Sequence, residues 1–320
     1  MKFGIYPGGR AGVVCSRPPD RDAIDRLVAE LAQGRPFVVR EYVHFFGDRG
    51  RPEVAALGAQ DELDHLTMPD DWYREHELDL VVSYLPAEAD PRGWLDFLTT
   101  VIDRYGHLTR YLQVTLEPNF PIPLIDGSSP GVLDALTRGV PHAREALDER
   151  GLTHTRVGFS VAEPAEWLGG DDAFWEHLSR QRDFADHVDY VGLGLYPDAF
   201  SPVPLDAVAP LTEHALRHLR HQSLPRAGLQ HLPIHIAENG TPSTPSTSSP
   251  QRQADSLTTM LHTILDNAED LNITHYEQFS LRDADSASPE PVGTLGLVTD
   301  TYEPKPAFAA YKNVIATRCS

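Results

Sequence analysis

Apolar runs of five to seven residues recur along the whole chain: KFGIY (2 to 6), FVVREY (37 to 42), LVVSY (80 to 84), YLQVTLE (111 to 117), RVGFSV (156 to 161), YVGLGLY (190 to 196), IHIAE (234 to 238) and HYEQFSL (275 to 281). Each has the length and the β-branched or aromatic content of a buried strand. Between most of them lie longer stretches in which apolar positions return every three or four residues, the period of a helix. In the first, Ile24, Leu27, Val28 and Leu31 form one face and Gly34 follows as a stop. Others run from about Trp94 to Tyr105, Val132 to Arg150, Ala173 to His187, Leu211 to His221 and Gln251 to Ala268. The last, Pro306 to Ala316, has proline in its first turn.

Strands that alternate with helices pair in parallel through right-handed crossovers, and eight such units close naturally into a barrel. The pattern therefore predicts a single (β/α)8 barrel domain over residues 1–320, with extended βα loops after strands seven and eight. An open doubly wound sheet is the alternative. It would bring a phosphate-binding glycine loop after the first strand, but YPGGRAG lacks the GxGxxG spacing. The two long loops are TPSTPSTSSP (241 to 250) and DADSASPEPVGT (283 to 294), whose composition suits mobile segments beside the barrel mouth, either a lid or plain surface loops.

Composition narrows the partners. A net charge of −20 opposes binding to a nucleic-acid backbone or an anionic membrane surface, since both repel an acidic protein. Cys15 and Cys319 are the only cysteines, which excludes a disulfide scaffold or a thiolate cluster and leaves one bridge open. Neither a signal-peptide core nor a run approaching the ~18 apolar residues of a membrane span is present, so a soluble, cytoplasmic protein is expected. His214, His218 and His221 follow helical spacing on what reads as a solvated face; with no HExxH, no metal is expected, and no motif calls for a cofactor. A GxSxG elbow is missing as well. The oligomeric state is not encoded in any pattern of this kind.

Candidate chemistry lies at the strand ends, because (β/α)8 enzymes build their sites on the C-terminal face. Strand four ends TLEPN with Glu117, and strand seven ends AENG with Glu238. A carboxylate closing an apolar strand needs a partner or a job. Two carboxylates across one cleft are what glycosidic cleavage requires, one protonated to assist the leaving oxygen and one ionised to attack or to activate water.

These motifs resemble the clan A glycoside hydrolases, the (β/α)8 retaining enzymes that include β-glucosidases, β-xylosidases and galactanases. Strand four there usually ends Asn-Glu-Pro and strand seven Thr-Glu-Asn-Gly. DYVGLGLYP resembles the clan's sixth strand, YEQFSLRD the Tyr-x-x-Trp-Ser-Leu-x-Asp run of β-glucosidases, and GLVTDTYEPKPAFAAY its closing segment. The resemblance implies that Glu238 is the nucleophile, Glu117 the acid/base, Tyr196 a hydrogen-bond donor to the nucleophile and Arg40 an arginine beside it. Phe279 would stand in the position of the sugar platform, and the substrate would be a glycoside or oligosaccharide.

Three departures accompany it. Leu116 replaces the asparagine that reads the sugar 2-hydroxyl, Phe279 replaces a tryptophan, and LVVSYLP offers Ser83 and Tyr84 but no histidine. Strict alternation would turn Thr115 and Glu117 inward and Leu116 toward the helices. The altered shell leaves two further readings open: a biosynthetic enzyme using the same pair on a non-standard substrate, or an inactive relative that binds a ligand or partner.

Overall fold

Each of the eight apolar runs forms a strand in the computed structural model, which describes residues 1–10, 14–48, 65–163, 170–181, 183–244 and 248–318. The strands are β1 Lys2–Ile5, β2 Val38–Phe45, β3 Glu77–Tyr84, β4 Thr109–Val114, β5 Arg156–Ala162, β6 Tyr190–Leu195, β7 Ile234–Asn239 and β8 Ile273–Gln278. They follow one another in chain order around a closed barrel. The helices of eight or more residues, among the described residues, are α1 Arg21–Ala32, α2 Pro91–Tyr105, α3 Val132–Glu149, α4 Asp172–Ser179, α5 Leu205–His218, α6 Pro250–Asn267 and α7 Pro306–Arg318. No helix among those residues is long and apolar enough to cross a membrane. The fold is the (β/α)8 barrel that the alternation predicts.

By packing, the chain groups into two compact units: residues 1–39, 195–216 and 236–320, and residues 40–194 and 217–235. In the first unit β1 pairs in parallel with the start of β2 (Gly4 opposite Val38) and with β8 (Gly4 opposite Glu277). Any Cβ at Gly4 would fall within 2.6 Å of the Val38 carbonyl oxygen, so only glycine lets β1 lie this close. Helix α1 starts where Asp20 accepts the Ala23 N–H and buries Ile24, Leu27, Val28 and Leu31, the face read from spacing. Helix α7 reaches β1 through Tyr311, whose hydroxyl donates to the Gly4 carbonyl at 2.7 Å.

The second unit holds β3 to β6, paired in parallel through Leu80 with Leu112, Leu112 with Val157, and Phe159 with Val191. Asp90 caps α2 by accepting the Gly93 N–H, Pro91 opens its first turn, and Trp94, Leu98, Val101, Ile102 and Tyr105 are buried. The Trp94 indole donates to the Ala135 carbonyl of α3 at 2.9 Å.

Four expectations change. Strand β4 stops at Val114, three residues before Glu117, because Thr115 (φ 69°) and Glu117 (φ 46°) enter the left-handed region. Alternation therefore does not govern Thr115 to Glu117. Helix α4 ends at Ser179 rather than near His187, where the last N–H groups reach back three residues, Arg180 to His177 and Gln181 to Leu178; Phe184 then turns inward against Phe159, 5.6 Å between ring centroids. Helix α5 begins at Leu205 instead of Leu211, since Pro210 sits inside it at an exposed position while Val208, Thr212, Ala215 and Leu216 are buried. It then runs through a π turn, Leu219–Ser223, into Leu224–Arg226.

The described parts of the loops after β7 and β8 are tied to one another. Lys305 Nζ donates to Asp283 (2.6 Å) and Ser243 (2.8 Å), Gly296 N–H donates to Asp283 (2.9 Å), and Ser243 N–H to the Thr294 carbonyl (3.1 Å). Residues 245–247 of the first loop, residues 11 and 12 of YPGGRAG, and Cys319 lie outside the described residues.

Candidate active site

Glu238 is the fifth residue of β7 and is 9% exposed. The Tyr196 hydroxyl, one residue past β6, donates to its Oε2 at 2.9 Å. The two residues that follow explain why the strand ends as it does. Asn239 is fully buried: its amide donates to the Leu195 carbonyl at 2.6 Å, and its Oδ1 accepts from the Tyr276 hydroxyl at 2.6 Å. Burial pushes the Tyr276 hydroxyl well above its ordinary pKa and keeps it a donor. Gly240 follows because any Cβ there would fall on the Phe279 carbonyl oxygen. Phe279, just past β8, donates its N–H to the Asn239 carbonyl at 2.8 Å. Its ring is 7% exposed and stacks on Tyr6, 5.1 Å between centroids and 24° between planes.

Glu117 is held differently, through its backbone. It is 6% exposed and lies in the turn after β4. Left-handed φ values at Thr115 and Glu117 are costly for residues with a side chain, of order 1–3 kcal/mol each, and persist where surrounding bonds fix them. Here the bonds are identifiable. Gln113 Nε2 donates to the Thr115 carbonyl at 3.0 Å and to Ser160 Oγ at 2.9 Å. The Leu116 N–H goes to Asp126 Oδ2 at 2.8 Å, and the Glu117 N–H to Ser160 Oγ at 3.2 Å. Asn119 brackets the segment from the far side, accepting from Ala162 N–H at 2.9 Å and donating to its carbonyl at 3.1 Å. Room for the carboxylate comes from Gly194 on β6, where any Cβ would fall on Glu117 Oε1.

Asp126 is fully buried and does more than cap Leu116. It also accepts the Tyr84 N–H at 2.7 Å and the Ser83 hydroxyl at 2.5 Å. Ser83 and Tyr84 at the end of β3 thus anchor the Asp126 carboxylate that also receives the Leu116 N–H.

Arg40 on β2 is 1% exposed. Its guanidinium donates to Asp79 (2.8 Å), Gln113 Oε1 (2.8 Å) and the Tyr42 hydroxyl (2.6 Å). The charge is matched by the buried Asp79 carboxylate, the condition under which a buried arginine is tolerated. Of the residues picked from sequence, Tyr196 and Glu238 are bonded directly, Arg40 and Glu117 are linked through Gln113, and Phe279 is joined to the residue after Glu238.

Sequence reasoning missed Asp126, Gln113, Ser160 and Gly194. Asp126 stands in an Asp-Gly pair and reads as a turn residue. Gln113, Ser160 and Gly194 did carry a signal: polar or glycine positions inside apolar strands mark close approach or internal bonding. Among the described residues no group of three His, Cys, Asp or Glu side chains is arranged to hold a metal ion.

No family model matches the chain, and no curated protein does. Solved structures do. The chain is similar to a family 39 glycoside hydrolase from the gut symbiont Bacteroides cellulosilyticus WH2 (15% identity, TM-score 0.61), covering 99% of this chain but only 64% of that one. It is also similar to a β-glucosidase from Exiguobacterium marinum (15% identity, TM-score 0.63, 92% and 86% of the two chains). Fungal β-1,4-galactanases match at 12% identity and TM-score 0.63 over 98% and 99%. The barrel is therefore a fold that these glycoside hydrolase structures share. At these identities the likeness concerns the fold alone.

Proposed function

We propose that the chain is a retaining glycoside hydrolase in which Glu238 is the nucleophile and Glu117 the acid/base. The observation that carries this reading is the hydrogen bond from Tyr196 to Glu238 Oε2 at 2.9 Å, which fixes one carboxylate at the end of β7 of a glycosidase-like barrel. In the first step the Glu238 carboxylate bonds to the anomeric carbon while Glu117 gives its proton to the departing oxygen. In the second, water attacks the same carbon, Glu117 takes its proton, and Glu238 leaves as a carboxylate. The backbone bracket around Glu117 supports the role, since a proton donor must be held in one place through both steps.

A panel of aryl glycosides tests it. Turnover in the parent chain, lost at least ~1,000-fold in Glu238→Gln and in Glu117→Gln, with the first-formed sugar retaining its anomeric configuration by NMR, is the expected result. A ligand-bound crystal structure should hold the two carboxyl groups about 5 to 5.5 Å apart. Inverted product, or turnover that survives Glu238→Gln, refutes the assignment.

A second reading has its own observation. Phe279 is 7% exposed with a face against Tyr6, and Leu116 has no amide to offer a sugar hydroxyl, so the platform and the 2-hydroxyl contact are both reduced. These favour acid/base chemistry on a less sugar-like substrate, or binding without turnover; a parent chain that binds but does not hydrolyse the panel selects it.

A further inference from the structure

Exposed large apolar side chains are few among the described residues, and three of them are Phe200, between β6 and α5, and Leu205 and Leu211 on α5 itself. Phe200 is the most exposed, at 57%, and the only aromatic one. A single exposed apolar residue is ordinary on a protein surface. Two further observations set this one apart.

The first is that its loop is pinned. Asp198, 3% exposed, accepts the Val203 N–H at 2.9 Å through Oδ1 and the Arg252 guanidinium at 2.7 Å through Oδ2. The same Arg252 nitrogen donates to the Val203 carbonyl at 2.7 Å, and Ala199 is buried beneath the turn. An aromatic ring is thus presented to solvent by a loop that Asp198 and Arg252 hold in place. The second is what the ring touches. Phe200 lies 5.6 Å from the Tyr196 ring at 54°, and Tyr196 is the residue bonded to Glu238. One side chain separates the exposed ring from the proposed nucleophile.

We propose that Phe200 is a binding wall for a planar or apolar group on the substrate, the group that departs when Glu238 attacks. The substrate class is then a glycoside with an aromatic or apolar aglycone rather than a plain oligosaccharide. A phenyl ring gains by covering its face with apolar surface, and Asp198 and Arg252 are already committed to the loop instead of to sugar hydroxyls. The inference rests on reading Glu238 as the nucleophile.

The test uses the full chain with two substrates of one sugar, a 4-nitrophenyl glycoside and the glycosyl fluoride, which has no aglycone to stack. Phe200→Ala should lower kcat/KM for the aryl substrate relative to the fluoride by about tenfold, mostly through KM, and Phe200→Tyr should restore the ratio. An unchanged ratio overturns the proposal while leaving the Glu238 assignment intact. If no glycoside is turned over, saturation-transfer NMR with phenyl 1-thio-β-D-glucoside still decides it. The phenyl protons should receive saturation from the parent chain and lose it in Phe200→Ala; no transfer to the phenyl ring, or equal transfer in the variant, overturns it.

Discussion

Replacing Asp126 tests whether the turn that carries Glu117 is held from outside the strand. Asp126 receives the N–H groups of Leu116 and Tyr84 on one oxygen and the Ser83 hydroxyl on the other, and the carboxylate is fully buried. Asp126→Ala removes the acceptor of all three. A buried donor left without a partner costs about 1–3 kcal/mol, so orphaning these three is expected to cost roughly 3–9 kcal/mol. Asp126→Asn is the informative control. Its amide oxygen can face both N–H groups while its NH2 faces Ser83 Oγ, which then accepts, so the geometry survives and only the charge is lost, at about 1–2 kcal/mol. Urea unfolding measures these numbers. Kinetics measure the consequence: a displacement of about 1 Å at a reacting group costs about 100-fold, so Asp126→Ala should lower kcat by that order while Asp126→Asn retains most of it. Equal unfolding midpoints for the parent and Asp126→Ala would refute the energetic argument. A destabilised Asp126→Ala with parental kcat would refute the positioning argument.

Other expectations follow from the same contacts. Tyr196→Phe removes the donor to Glu238 Oε2 and should lower kcat about tenfold or more with little change in KM; a parental kcat shows that the hydroxyl plays no part in the reaction. Glu41 on β2 is buried and accepts from Tyr73 (2.5 Å) and Thr67 (3.0 Å); burial raises its carboxyl from 4.5 to about 7, against the opposing pull of those two bonds. Between those pH values the unfolded chain releases a proton that the folded chain keeps. Stability from this group is therefore full below 4.5 and lost as pH rises through 7, by about 3 kcal/mol. The parent minus Glu41→Gln difference in unfolding free energy, measured from pH 4 to 8, should fall by that amount, and a flat difference rejects the raised value.

The fold was legible because period is a strong signal: every apolar run became a strand, and α1 buries the Ile24, Leu27, Val28 and Leu31 face that its spacing marks. Legibility failed at ends. The spacing starts a helix at Leu211, yet the burial of Val208 ahead of it places Leu205 to Pro210 in the same helix. YLQVTLE reads as one strand, yet Thr115 and Glu117 leave the β region, and nothing in local composition announces a left-handed glutamate. That conformation is imposed by Asp126, Ser160 and Gln113, whose contacts become visible only when the chain is folded. Glu238 was the easier case. It stays on a regular strand, and the Asn-Gly after it has a separate structural reason, since Asn239 stitches β7 to its neighbours and Gly240 admits the Phe279 carbonyl.

Glu238 receives the Tyr196 hydroxyl on its side chain, and the main chain around Glu117 is bonded on both sides of it, in an arrangement that includes Arg40. Gln113 is the hinge of the second arrangement. Its amide can bond in only one sense, because Oε1 must face the Arg40 guanidinium and Nε2 must face the Thr115 carbonyl and Ser160. Reversing the amide would set its NH2 against a cation that can only donate and its oxygen against a carbonyl that can only accept. The buried Arg40–Asp79 pair therefore orients Gln113, Gln113 holds Thr115 and Ser160, and Ser160 receives the Glu117 N–H. A buried cation in the second unit is accounted for by this relay to the proposed acid/base.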